Sequence, residues 1–202
     1  MLAYSSLVHI GYMLVGIGIT LTLGDSAGAQ GGLFHMLTHG LMKGLAFLAA
    51  GAFLYSLHIA LGDHEPLTIS DLSGAARRYP IAAFTLSIAV LSLGGLPPLA
   101  GFMSKWQIFV AGFRTENILI EALVIFAALN SVFSFAYYAP LVNTIYRLHP
   151  SEVVQRGGKS PVLMTIPLIL LSIAVLMIGI YPNILNWITA PAGSILGMAF
   201  GG

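Results

Sequence analysis

Five long apolar runs, at about 2–23, 31–61, 79–113, 117–146 and 161–189, decide where this chain can fold. Crossing about 30 Å of hydrocarbon takes roughly 20 apolar residues at 1.5 Å rise each, and every run is that long or longer. The segments between them are polar and turn-rich: "GDSAGAQGG", "GDHEPLTISDLSGAARRYP", "FRTEN" and "RLHPSEVVQRGGKSP". Only 7% of the 202 residues are charged, against about 25% in soluble domains, too few to build a wetted surface. The expectation is an all-α integral membrane protein with about five transmembrane helices. Met1 opens no signal peptide, because no basic stretch precedes the first run and no small-residue cleavage site follows it.

The same counts close off other classes. There are no cysteines, so no disulfide framework, thiolate site or iron–sulfur cluster can be built here. The net charge of +1 offers nothing to nucleic acid. No cofactor is expected, since no flavin, iron–sulfur or quinone chemistry can be assigned to these residues.

Five spans place the loops near 62–78 and 147–160 on one side. These loops carry Arg77, Arg78, Arg147, Arg156 and Lys159, whereas the opposite side holds only Arg114. The positive-inside bias then puts the N-terminus in the cytoplasm and the C-terminus outside, as in a multi-pass protein of the cell (inner) membrane.

Two cations remain inside predicted spans. In "LFHMLTHGLMKGLAFLAAGAFL" (33–54), His35, His39 and Lys43 follow one another at intervals of four residues. That spacing puts them on nearly one helix face, with Lys43 about 18 Å along the run and near mid-membrane. A lysine there costs several kcal/mol unless it meets a wet cavity or a partner. Histidine titrates near neutrality, so the row reads as stepping stones for a proton; interhelical bonding is the simpler alternative. A metal site is not expected, since a neighbouring lysine and the lack of nearby carboxylates suit a cation poorly.

Lys105 lies in "LSLGGLPPLAGFMSKWQIFVAGF". The run from 79 to 113 is too long for one straight span, and Gly94, Gly95, Pro97 and Pro98 interrupt it. A broken helix with freed carbonyls is expected there, and irregular backbone at that depth is tolerated where it lines a cavity. Val90, before the break, is expected to face lipid. The simpler reading of Lys105 is a lysine snorkelling to the interface.

"LAYSSLVHIGYMLVGIG", "HMLTHGLMKGLAFLAAGAFLYSL" and "LGGLPPLAGFMSKWQIF" resemble, in order, signatures of the proton-conducting antiporter-like membrane subunits. That family serves complex I (NADH–quinone oxidoreductase), F420H2 dehydrogenase, membrane-bound hydrogenases and multisubunit cation/proton antiporters. "ALNSVFSFAYYAPLV" resembles the complex I N-type subunit, whereas the His–His–Lys helix resembles the L and M types. The resemblance implies that Lys43 is the central-axis lysine, Lys105 the terminal residue of a half-channel, and His35 and His39 the relay between them. His9 matches a polar position after "YSS"; its simpler reading is an interhelical hydrogen bond.

Full members of that family carry two inverted repeats, and this sequence resembles the end of that plan. The expected division is 1–146 as the second half-channel repeat without its first helix, 147–160 as a cytoplasmic loop, and 161–202 as a last transmembrane helix and C-terminal tail. Either the other half is a separate polypeptide or the chain is a shortened paralogue. The first option leaves one flank of the His35–Lys43 helix for a neighbouring membrane subunit to cover. The resemblance implies proton translocation in a complex I-like respiratory assembly whose redox chemistry lies on other subunits. Alternatives are a sodium or other cation/proton antiporter subunit, a membrane-bound hydrogenase subunit, and a non-conducting structural subunit.

Other polar residues invite less. His58, His64 and Glu65 read as a solvated span end, and Asp63 and Asp71 as loop carboxylates. Asp71, Arg77 and Arg78 form a surface cluster, and Glu121 is a carboxylate one turn into its span that could pair with a cation. Asn130, Ser131, Ser134, Tyr137 and Tyr138 give the fourth span a polar side. Trp106, Trp187 and Tyr181 are candidate interface anchors.

Overall fold

The computed structural model describes residues 2–61, 66–160 and 162–200. His64, Glu65 and Asp63 lie outside them. Helix α1 (Leu2–Leu23) turns at Gly24 into α2 (Ser26–Leu61), which runs 36 residues. After two single 3₁₀ turns come α3 (Pro80–Gly94) and α4 (Ala100–Phe113), the two arms of the broken span. Then follow α5 (Ile118–Ile145), the short α6 (Glu152–Arg156), α7 (Val162–Ile180) and α8 (Asn183–Phe200). Helices α1, α2, α5 and α7 are each long and apolar enough to cross a membrane, and α3 is a shorter apolar helix. With the α3–α4 pair, that makes the expected five spans.

α2 is the axis of the bundle, with α1, α3, α4, α7 and α8 all packed on it. It starts five residues before the predicted run, so most of "GDSAGAQGG" is helix. The Asp25 carboxylate accepts from the Ala27 N–H at 3.0 Å and caps the first turn. The glycines read as loop punctuation serve close packing instead: a Cβ at Gly16 would press on the backbones of Gly28 and Gly32. Without a hydrophobic drive between helices in lipid, such close backbone contact is what holds them together.

The last run divides too. α7 stops at Ile180, and α8 extends past the predicted limit to Phe200. Thr189, Gly193 and Gly197 make a small stripe at intervals of four, and the two glycines lie against Gln30 and Ser26 of α2. The loops predicted to share a side do meet. Ser151 N–H donates to Ser73 O at 3.0 Å, and Gly74 N–H to Thr144 O at 3.1 Å. Arg78 donates to the carbonyls of Gln155 and Gly157.

Two expectations need correction. Val90 is fully buried; α3 is wrapped by α2, α5 and α7, and its outward positions are Ile81 and Phe84. The flank of α2 left open is apolar, with Met36, Phe47 and Leu48 exposed, while His35 and Lys43 face inward and are covered by the chain itself.

Candidate functional site

The break between α3 and α4 builds one end of the site. Gly95 takes φ 86, a left-handed conformation that glycine adopts without steric cost. Its N–H donates to Ser92 O at 2.9 Å and the Leu96 N–H to Leu91 O at 3.0 Å, the paired bonds of a Schellman cap. The carbonyls of Leu93 and Gly94 are left for side chains. Lys105 Nζ donates to Leu93 O at 2.9 Å and to Ser131 Oγ at 2.8 Å, while Ser131 Oγ lies 3.3 Å from Gly94 O. Lys105 is 2% exposed, so it turns back into the break and does not snorkel. Ser92 joins the arms from the other side, its Oγ accepting from Gly101 N–H at 3.0 Å.

Behind Lys105 stands a ring stack. Its amine lies 4.9 Å from the Tyr12 ring centre, and Tyr12 meets His9 and His35 edge-on. His35 Nδ1 pairs with Ser104 Oγ at 2.7 Å, and His35 Nε2 with His9 Nδ1 at 3.0 Å. Ser104 Oγ also donates to Gly101 O at 3.0 Å. With that donation in place, Ser104 accepts from His35, and His35 accepts from His9. Rotating the serine hydroxyl onto His35 reverses both bonds. Ser104–His35–His9 is thus a run whose protons can point either way.

His39 lies beside His35 as its spacing predicts, ring centres 6.2 Å apart, but makes no bond to it. Its ring stacks on His9 with centres 4.6 Å apart, and its buried Nδ1 has no hydrogen-bond partner among the described residues. The row on α2 therefore passes through α1 at His9, whose interhelical bond is the simpler reading made real. Lys43, 6% exposed, donates to Ser5 Oγ at 2.5 Å and to the Leu2 carbonyl. Among the described residues no hydrogen bond joins either lysine to a histidine, and no group of three His, Asp or Glu could hold a metal ion.

Tyr12, Ser104 and Ser5 were missed from the sequence. Tyr12 follows His9 by three residues and Ser104 precedes Lys105, so helical neighbourhood to a singled-out residue was the available signal. Asn130, on the polar side of α5, reaches the Tyr12 hydroxyl at 3.3 Å. Glu121 meets no cation: the one ion pair among the described residues is Glu152–Arg156. Trp106, Trp187 and Tyr181 are exposed.

Residues 1–134 match a transmembrane family described as NADH:quinone oxidoreductase/Mrp antiporter. A "NADH-quinone oxidoreductase subunit N 2" from Sorangium cellulosum is 33% identical over 178 residues, covering 86% of this chain and 33% of the relative. An "F(420)H(2) dehydrogenase subunit N" from Methanosarcina mazei is 30% identical over 189 residues, covering 91% and 36%. A chain of respiratory complex I from Thermus thermophilus superposes with a TM-score of 0.78 at 26% identity, covering all of this chain and 39% of that one. The chain spans about a third of the length of the curated relatives it matches.

Proposed function

This chain belongs to the NADH:quinone oxidoreductase/Mrp antiporter transmembrane family, and on that premise we propose that it forms a proton-conducting half-channel in a multisubunit membrane complex. One observation carries the reading: a reversible Ser104–His35–His9 hydrogen-bond run set among buried lysines at a broken helix. A proton arriving at His9 Nε2 releases the His9 Nδ1 proton to His35, His35 releases its own to Ser104, and Ser104 gives up its hydroxyl proton in turn to a water on the Lys105 side. Each ring ends neutral, and one charge has moved toward Lys105. The gaps beside Lys43 and Lys105 are where water would complete the path.

In this reading 1–146 is the second half-channel repeat, 147–160 its cytoplasmic loop, and 161–202 the last span with its helical tail. The basic loops face the cytoplasm. The partners are other membrane subunits, among them a polypeptide supplying the remainder of an antiporter-like subunit. The N-type relatives favour an assembly driven by redox chemistry on other subunits.

The test is to replace Lys43 and Lys105 singly by methionine in the native complex and to measure proton pumping in sealed vesicles. Loss of pumping with normal subunit content supports a half-channel. Full pumping in both variants would leave a structural subunit. Flux that requires sodium would favour cation/proton antiport.

A further inference from the structure

The histidine run leaves the Lys43 amine tied only to α1. Its partner there, Ser5, leads elsewhere. Tyr138 on α5 is fully buried, and its hydroxyl has no hydrogen-bond partner among the described residues. An unpaired phenol in a packed interior is costly and calls for a reason. The hydroxyls of Ser5 and of the adjacent Tyr137 stand beside it without completing a bond. The Tyr138 ring also lies next to Gly94, at the break whose carbonyls Ser131 and Lys105 take up.

Tyr138, Ser134 and Ser131 share the buried face of α5, at intervals of four and three residues. Ser131 ends that row on the Lys105 amine at 2.8 Å. Hydroxyls on α1 and α5 thus form a row between the two lysines, apart from the imidazoles, in which Ser134 Oγ donates to the Ser131 carbonyl at 2.6 Å and must turn to link Tyr138 with Ser131. The row is bonded directly to an amine at each end, which the histidine run is not.

We propose that the Tyr138 hydroxyl is a further relay residue, passing protons between Lys43, through Ser5, and Lys105, through Ser134 and Ser131; this rests on the half-channel reading above. A proton from the Lys43 ammonium goes to Ser5 as Ser5 gives its own to the phenol oxygen. The phenol gives its own on toward Ser134 and Ser131, and the last proton ends on a neutral Lys105 amine. Every hydroxyl keeps one hydrogen, and one positive charge moves from Lys43 to Lys105.

Tyr138→Phe keeps the ring and deletes the hydroxyl. In the assembled native complex, removing one hydroxyl from the path should slow pumping by about tenfold. The ratio of rates in H2O and D2O should rise, with subunit content and thermal midpoint unchanged. Tyr146→Phe, at the exposed end of α5, should pump as the parent does. Parental pumping in Tyr138→Phe overturns the proposal, as does a lowered thermal midpoint with an unchanged isotope ratio. If Tyr138→Phe does not assemble, Ser5→Ala decides by the same readings. Parental pumping in Tyr138→Phe beside loss in Lys105→Met removes Tyr138 and leaves the half-channel standing. Parental pumping in Lys105→Met and Lys43→Met removes the half-channel itself.

Discussion

The amine of Lys105 donates to the carbonyl of Leu93 at 2.9 Å, across a break and twelve positions back along the chain. A cation at the carbonyl end of a helix is favourably placed, because the unpaired carbonyls of the last turn carry partial negative charge. The lysine therefore closes α3 as well as carrying a proton in the proposed function.

Those two roles separate by substitution. Lys105→Met leaves the Leu93 carbonyl buried and unpaired, at a cost of about 1–3 kcal/mol. Pumping and the thermal midpoint of the complex should fall together. Lys105→Arg keeps a donor for the carbonyl but cannot release its proton in a protein. Its midpoint should stay near the parent's while pumping is lost. Pumping retained by the arginine variant would show that Lys105 need not deprotonate.

Among the histidines, the bonding pattern ranks the losses. His35→Ala removes both bonds of the run and should cost the most pumping. Ser104→Ala removes one end and should cost less. Pump rates in vesicles, normalised to assembled complex, give the order, and the reverse order would argue against this path.

Solvent access at the break is measurable with cysteines. A cysteine at Leu96 should react with small water-soluble thiol reagents in the folded complex, whereas one at Phe84, on the outer face of α3, should react slowly. Equal protection of both would indicate a dry break.

Two glycine substitutions should diverge. At Gly101 a Cβ would run into the carbonyl of Ser92, so Gly101→Ala should destabilise by at least about 1–3 kcal/mol and lower the amount of assembled chain. At Gly40 a Cβ meets nothing within 4 Å, and Gly40→Ala should be neutral or stabilising by about 0.5–1 kcal/mol. Thermal midpoints of the two variants check this.

The spans and the break were legible because hydrocarbon sets a length and proline and glycine mark irregular backbone. The α2 start and α8 were not. Gly28, Gly32 and the Thr189–Gly193–Gly197 stripe look like loop composition until a second helix lies against them, and that contact is not local in sequence. Lys43 and Lys105 stood out because charge is scarce in these runs. Ser5, Ser104 and Tyr12 did not, since hydroxyls are ordinary in membrane helices and gain meaning only from what they touch. Val90 was misplaced for a related reason: α3 is apolar on all sides, so its sequence does not say which side is covered.

Gly179, one turn before the α7–α8 junction, packs directly on the backbone of Pro98 and Leu99. The two interruptions of the bundle thus sit at one level, backbone to backbone, while α2 passes beside both without a break. There is no slack between them, since glycine has no side chain to yield. A change in the angle between α3 and α4 must displace the end of α7, and through it the start of α8.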